Sequence, residues 1–192
     1  MAIKISDSKS FKLEPVRKNR FVFQFSSVPG NNNQEEALAF VAKSASVPSI
    51  SFEKQSTKRI HETYNTAGTP TFNDLTVAFN DFIRNASSST GASGTGELSA
   101  GDIMYNWASM IYNPLTGQMG YKTQYATSAT EAQLDPAGNI FRAWNIFGIF
   151  PTTVNFGDTL SYEDSGATEI NCTFAYDLAI KVQDSKSSSE SA

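Results

Sequence analysis

The chain has one cysteine, Cys172, and one histidine, His61, among 192 residues. A lone cysteine forms no intramolecular disulfide and no CxxC zinc site, and it fits a reducing compartment of assembly. A lone histidine excludes a multi-histidine metal centre, and HETYN around it lacks the second histidine of a zincin helix. Charge is also sparse, at 18% of residues, with a net charge of -4 and a pI near 5.0. Gripping nucleic acid by phosphate neutralisation needs a basic stripe, and this composition disfavours it, whereas it suits a surface that nucleic acid must slide past. No apolar run reaches the roughly 20 residues of a membrane span, so no membrane insertion is expected. The polar start MAIKISDSKSFKLEP has no signal-like apolar region, so export by the ordinary route is not expected.

What is present is aromatic and strand-like. Aromatic residues make up 12% of the chain, with 14 Phe, enough for one folded core. Residues 20–26 alternate Phe21, Phe23 and Phe25 with Val22, Gln24 and Ser26, and the Pro29-Gly30 breaker and an Asn-rich loop follow. Residues 37–43 are mixed. Val47-Pro48 then forces extended backbone ahead of Ile50 and Phe52. Leu75, Val77 and Phe79 alternate with Thr76, Ala78 and Asn80. Residues 170–182 keep a period of two throughout, which predicts one strand of about 40 Å with Asn171, Thr173, Ala175, Asp177, Ala179 and Lys181 on its polar face.

One helix is expected after Ser99, a good N-cap, because Ile103, Trp107 and Ile111 recur at helical spacing and Asp102 sits in the first turn. Asn113-Pro114 ends it. The segments 121–134 and 139–150 flank DPAGN, in which Gly138 can take positive φ and close a hairpin. The Ser/Gly-rich stretch 85–101 reads as a flexible loop, residues 1–18 as an arm, and 183–192 as a disordered tail.

Few residues offer catalytic chemistry. GASGTG lies between a strand and a helix but lacks the Gly-Lys-Ser/Thr ending of a phosphate loop, and no G-x-S-x-G elbow accompanies His61. Glu163 and Asp164 point to opposite faces if extended, so they do not clasp one cation. An enzyme on a β-sandwich is a distant alternative, because no motif gathers acid-base groups. No catalytic residue, metal or cofactor is therefore expected. Lys54, Lys58 and Arg59 form a small basic cluster that reads either as a solvated loop or as a protein-docking loop.

The succession NRFVFQF, AKSASVPSISF, YNTAGTPTFNDLTVAFNDF, DIMYNWASMIYNP, WNIFGIFPTTVNFGDTLSYED and EINCTFAYDLAI, over residues 19–182, resembles the tail-tube proteins of contractile-tailed bacteriophages. That family is related to type VI secretion and tailocin tubes. Gly148, Phe150, Pro151, Thr152, Tyr162 and Asp164 match its Gly-x-Phe-Pro-Thr corner and Tyr-acidic step. The resemblance implies a mainly β fold, an antiparallel β-barrel or sandwich with one flanking α-helix, assembling into hexameric rings.

It further implies that the rings stack into a tube around a tape-measure protein, inside a sheath and on a baseplate or tube initiator. DNA is then only passing cargo, and the protein sits in the virion tail after assembly in the host cytoplasm. A tube of another injection device, or an initiator or baseplate component, is the alternative. The connection 53–71 is expected as an extended loop touching another subunit or ring through Lys54, Lys58, Arg59 and Tyr64. Asn171, Thr173, Asp177 and Lys181 are expected to face the lumen, and Phe147, Phe150, Phe156 and Tyr162 to pack at the corner.

Overall fold

A computed structural model describes residues 15–31, 34–82, 99–157, 160–163 and 165–182. The elements, in chain order, begin with β1 (Phe21–Phe25), α1 (Glu35–Val41), β2 (Ala42–Ala45), β3 (Ser49–Arg59), β4 (Glu62–Asn73) and β5 (Leu75–Asn80). They continue with α2 (Ala100–Ile111), β6 (Tyr112–Asn113), β7 (Gln118–Met119), α3 (Lys122–Tyr125), β8 (Thr127–Leu134), β9 (Ile140–Asn155), β10 (Glu169–Ala175) and β11 (Leu178–Val182). The expected N-terminal arm lies outside the described residues up to residue 14. So do residues 85–98 of the Ser/Gly stretch, the tail 183–192, and Asp164.

Seven strands form one antiparallel sheet in the order β1-β8-β9-β10-β5-β2, with β11 also on β9. β9 serves both halves. Its residues 140–149 pair with β8 and 143–147 with β11, whereas 150–155 pair with β10. A strand that changes partners along its length turns a sheet corner, and here it folds the sheet around one core. Among the described residues β1, β2 and β11 each pair on one side only and leave a free edge.

Period-two apolar residues supply the inner face. Phe23, Phe25, Leu75, Val77, Phe79, Ile146, Ile149, Ile170, Cys172 and Phe174 are all buried together. α2 covers this core with Ile103, Met104 and Trp107. It starts where Ser99 and Asp102 form a reciprocal capping box, satisfying two end donors of the helix. Trp107 meets Phe25 edge to face at 5.1 Å, and its indole donates to the Tyr125 carbonyl at 2.7 Å. That bond gives the buried ring its polar partner. The turn ahead of α1 is seated on the helix: a Cβ on Gly30, whose φ is +79°, would lie 3.1 Å from Met110 Cγ. Buried Asn31 accepts from Asn106 Nδ2 and donates to the Ile103 carbonyl, both at 3.0 Å.

The DPAGN hairpin joins β8 and β9 as its residues predict, with Gly138 at φ 88°. Ser99 caps α2 as expected, while Ala100 and Gly101, also expected in the flexible stretch 85–101, form its first turn. The segment expected as mixed contains α1, and the first part of 121–134 contains α3 rather than strand. Both helices are short, at 7 and 4 residues. So few residues carry little periodic signal, and tertiary packing decides their form.

Candidate assembly surfaces

The segment 53–71 is not an irregular loop. It belongs to an antiparallel hairpin, β3 on β4, from Ser49↔Asn73 to Arg59↔Glu62, with one register shift between Phe52 and Lys54. Every β3 residue is exposed, and in β4 only Gly68 and Phe72 are partly covered. At about 3.3 Å per residue the arms are about 35 Å long. Their root is anchored, since Phe72 packs on Tyr176 with ring centres 5.6 Å apart and the Tyr176 hydroxyl donates to the Ser49 carbonyl at 3.2 Å. Lys54, Lys58, Arg59 and Tyr64 all lie on this projection. None of the three cations has an ion-pair partner among the described residues. Ile50, Phe52, Ile60 and Tyr64 are also exposed, Ile60 to 95%. An isolated two-stranded ribbon with apolar side chains in water gains little from its own chain, so its stabilising contacts have to come from elsewhere.

The corner of β9 is built differently from the aromatic cluster expected there. Phe147 and Phe156 are 41% and 54% exposed, and Tyr162 is fully exposed. Ile146 and Ile149 fill the core instead. They are three residues apart because Gly148, at φ 68°, inserts a kink that breaks the two-residue alternation. A Cβ at Gly148 would collide with the Asp177 carboxyl, whose Cγ would lie at 2.8 Å. Asp177 is held by its own amide donating to the Phe147 carbonyl at 3.0 Å and by an ion pair with Lys122 at 2.6 Å. Phe150 is partly buried against Tyr125, with ring centres 5.4 Å apart. Pro151 is buried opposite Phe174, where the β9–β10 register shifts, and Thr152 Oγ1 donates to the Thr173 carbonyl at 3.2 Å. Proline offers no N–H to the ladder, and the neighbouring hydroxyl supplies a donor. Asp164 lies outside the described residues.

Residues 170–182 do not form one strand. The chain leaves β10 after Ala175 and re-enters as β11 at Leu178, changing partners from β10's neighbours β5 and β9 to β9 alone. The bend reverses the alternation. Ile170, Cys172, Phe174 and Tyr176 point inward before it, but Ala179 packs on the core after it, while Leu178, Ile180 and Val182 are exposed. The four candidate lumen residues therefore do not share a face. Asn171 and Thr173 lie on the outer side of β10, Asp177 is in the bend, and Lys181 has the inward parity of Ala179. Burial pushes the Cys172 thiol up to about 12, so it is an inert core residue.

A feature not anticipated from the sequence is the gap between the free edges of β1 and β2. A cleft of about 550 Å³ is lined by residues 16–21, by Lys43, Ser44, Ala45 and Val47, and by Glu131 and Gln133 of β8. Glu131 is only 2% exposed, and its Oε2 has no hydrogen-bond partner among the described residues. It lies opposite Phe23 on β1 and Trp144 on β9, and the Trp144 indole N–H is also without an acceptor. Burial raises the Glu131 carboxyl from 4.5 to about 7. The sequence signal was its position in TSATEAQL, where Glu131 shares the inward parity of Ala129. Among the described residues no group of three or more His, Cys, Asp or Glu side chains is placed to hold a metal ion.

No family model and no curated protein matches the chain. Solved structures do. A chain of the PVC extracellular contractile injection system sheath/tube terminator, in the extended state, superposes with a TM-score of 0.60 at 15% identity, covering 90% of this chain and 99% of that one. The tube-terminating cap of the anti-feeding prophage gives 0.60 at 15% identity, covering 88% and 92%. The PVC sheath-tube complex gives 0.57 at 14% identity, covering 94% and 99%. The chain thus has the β-rich fold of contractile tail-tube proteins.

Proposed function

We propose that this chain is a structural subunit of the tube of a contractile tail. The observation that carries the reading is a shared fold over nearly the whole of both chains, in a molecule that carries an exposed two-stranded hairpin. Six copies close a ring, and rings stack through heterologous contacts into an open filament. Ring closure also covers free sheet edges such as β1 and β2, which would otherwise pair at random. The neighbours implied are the sheath outside, a tape-measure protein inside during assembly, and a baseplate or tube initiator below. The tube passes a genome without binding it, and the protein performs no catalysis. In the phage version of this reading the subunit assembles in the host cytoplasm and ends in the virion tail.

A second reading is a tube terminator, favoured by the two terminal assemblies among the similar structures. Negative-stain electron microscopy of the concentrated, purified protein tests the proposal. Uniform hollow tubes are expected. Monomers that stay dispersed even with a baseplate seed overturn it, and single rings that refuse to stack favour the terminator, which copy number per particle would confirm.

A further inference from the structure

Two features of the molecule lack a partner among the described residues: a carboxyl in the wall of a cleft whose lining otherwise carries Arg17, Lys18, Arg20 and Lys43, and a pair of exposed lysines on the hairpin. The first is the cleft between β1 and β2, with Glu131 at its wall and the apolar side chains of Val16, Phe21, Ala45 and Val47 around it. The second is the lysine-bearing face of the hairpin. Lys54, Ser56 and Lys58 alternate along β3 and lie opposite Ala67, Asn65 and Thr63 on β4. Small neighbours leave both ammonium groups standing clear of the ribbon.

A buried carboxyl without a partner is a standing penalty in the isolated subunit, and the penalty ends if a cation with good geometry is brought to it. Resting on the tube-subunit reading, we propose that the cleft is the receptor for the β3–β4 hairpin of a second copy, one of whose lysines, Lys54 or Lys58, pairs with Glu131.

The charges already around the cleft do not serve this purpose. Arg20 donates to the carbonyls of Asp135 and Pro136, and Lys43 is ion-paired with Glu169. Lys181 shares a cross-strand row with Trp144 and hence with Glu131, but is exposed. Tyr176 is the other titratable group that Glu131 acts on. Burial pushes the Tyr176 phenol above its ordinary value, and negative charge at Asp74 and Glu131 pushes the same way. No cation contributes to the shift at Glu131 itself. Arg17 and Lys18 on the rim would oppose a purely basic visitor, but the hairpin also carries Glu53 and Glu62 to meet them.

The hairpin leaves its own subunit beside the same cleft, since β2 lines it and only Ser46, Val47 and Pro48 separate β2 from β3. Each copy therefore donates at one place and accepts at another, the heterologous arrangement from which rings and open filaments are built.

Docking a lysine would ionise Glu131, so assembly should release a proton and strengthen as pH rises. For a carboxyl near 7 in the free subunit and well below 6 in the contact, affinity per contact rises about tenfold between about pH 6 and about pH 8. Sedimentation of assembled material from the full-length protein, as a function of concentration and pH, measures this. In Glu131→Gln the slope should vanish and assembly at the higher pH should weaken. The difference between the two profiles isolates this carboxyl from His61 at the hairpin tip.

A second readout keeps Glu131 intact. One preparation carries Gln133→Cys and the other Lys54→Cys or Lys58→Cys, and a mixture oxidised after assembly should give a disulfide-linked dimer from one of the two pairings. Three results overturn the inference while leaving the tube reading standing: assembly that weakens with rising pH, a slope unchanged in Glu131→Gln, or tubes in which neither pairing cross-links. A chain that forms no ring or tube under any of these conditions overturns both.

Discussion

β10 and the β3–β4 hairpin are both period-two strands, yet they do opposite work. β10 lies between β5 and β9, with every second side chain in the core, whereas the hairpin has no further strand on either side among the described residues and nearly all of its side chains in water. The difference teaches that alternation alone reports a pleat and not a destination. The inward row of β10 is Ile170, Cys172 and Phe174, large enough to hold a core together. The equivalent rows of the hairpin mix Lys54, Ser56 and Lys58 with Phe52 and Ile60, which suits a surface that is wet before assembly and covered after it.

Truncating the buried partner should break the comparison most. Phe174→Ala removes a fully buried ring that contacts Phe25 and Trp107, and should cost about 3 to 5 kcal/mol of unfolding free energy in a urea titration. Next comes Gly148→Ala, which places a side chain at φ 68° and against the Asp177 carboxyl. A loss of about 2 kcal/mol is expected, together with a weaker attachment of β11 in hydrogen exchange.

Glu131 produces a smaller, pH-dependent effect. Its carboxyl is raised from 4.5 to about 7, so the folded subunit keeps a proton that the unfolded chain gives up. Stability of the monomer should be fully present below about pH 4.5 and fall as pH rises through about 7, by up to about 2 kcal/mol once water in the cleft is allowed for. Glu131→Gln should flatten that slope, as thermal melts across the range would reveal. The smallest effect belongs to the hairpin tip. Ile60→Ser should change monomer stability by less than about 0.5 kcal/mol, while reducing assembly measured by sedimentation. A large loss of stability there would mean that the hairpin is folded onto its own subunit after all.

Much of the wall was legible because its residues obey a local rule. Phe23 and Phe25 are buried as their alternation predicts, α2 begins at Ser99 and carries Ile103 and Trp107 inward, and DPAGN closes the hairpin that it spells. Two of the failures share one cause. Phe147 and Phe156 read as corner packing, and residues 170–182 as one strand, because period two was carried through places where the backbone changes phase. Gly148 shifts that phase in β9, and the bend at Asp177 shifts it between β10 and β11. The two kinks interlock across the sheet, through the Asp177 amide and Phe147 carbonyl, so neither is visible from its own neighbours in sequence. The cleft was missed for a different reason, since its lining comes from three segments far apart along the chain.

The sequence by itself determined the class of structure: one charge-poor, aromatic-rich chain whose alternating segments form an antiparallel wall, with one capped helix laid across it. These follow from side-chain period and capping chemistry, which act within a few residues. Only the tertiary structure decided that the segment around Lys54 and Lys58 is a free-standing ribbon, that the last apolar run turns over halfway, and that Glu131 is buried with no partner for its Oε2 among the described residues. Those outcomes depend on which strands find each other across long loops, and hydrophobic burial, being non-directional, settles them only when the whole core closes at once.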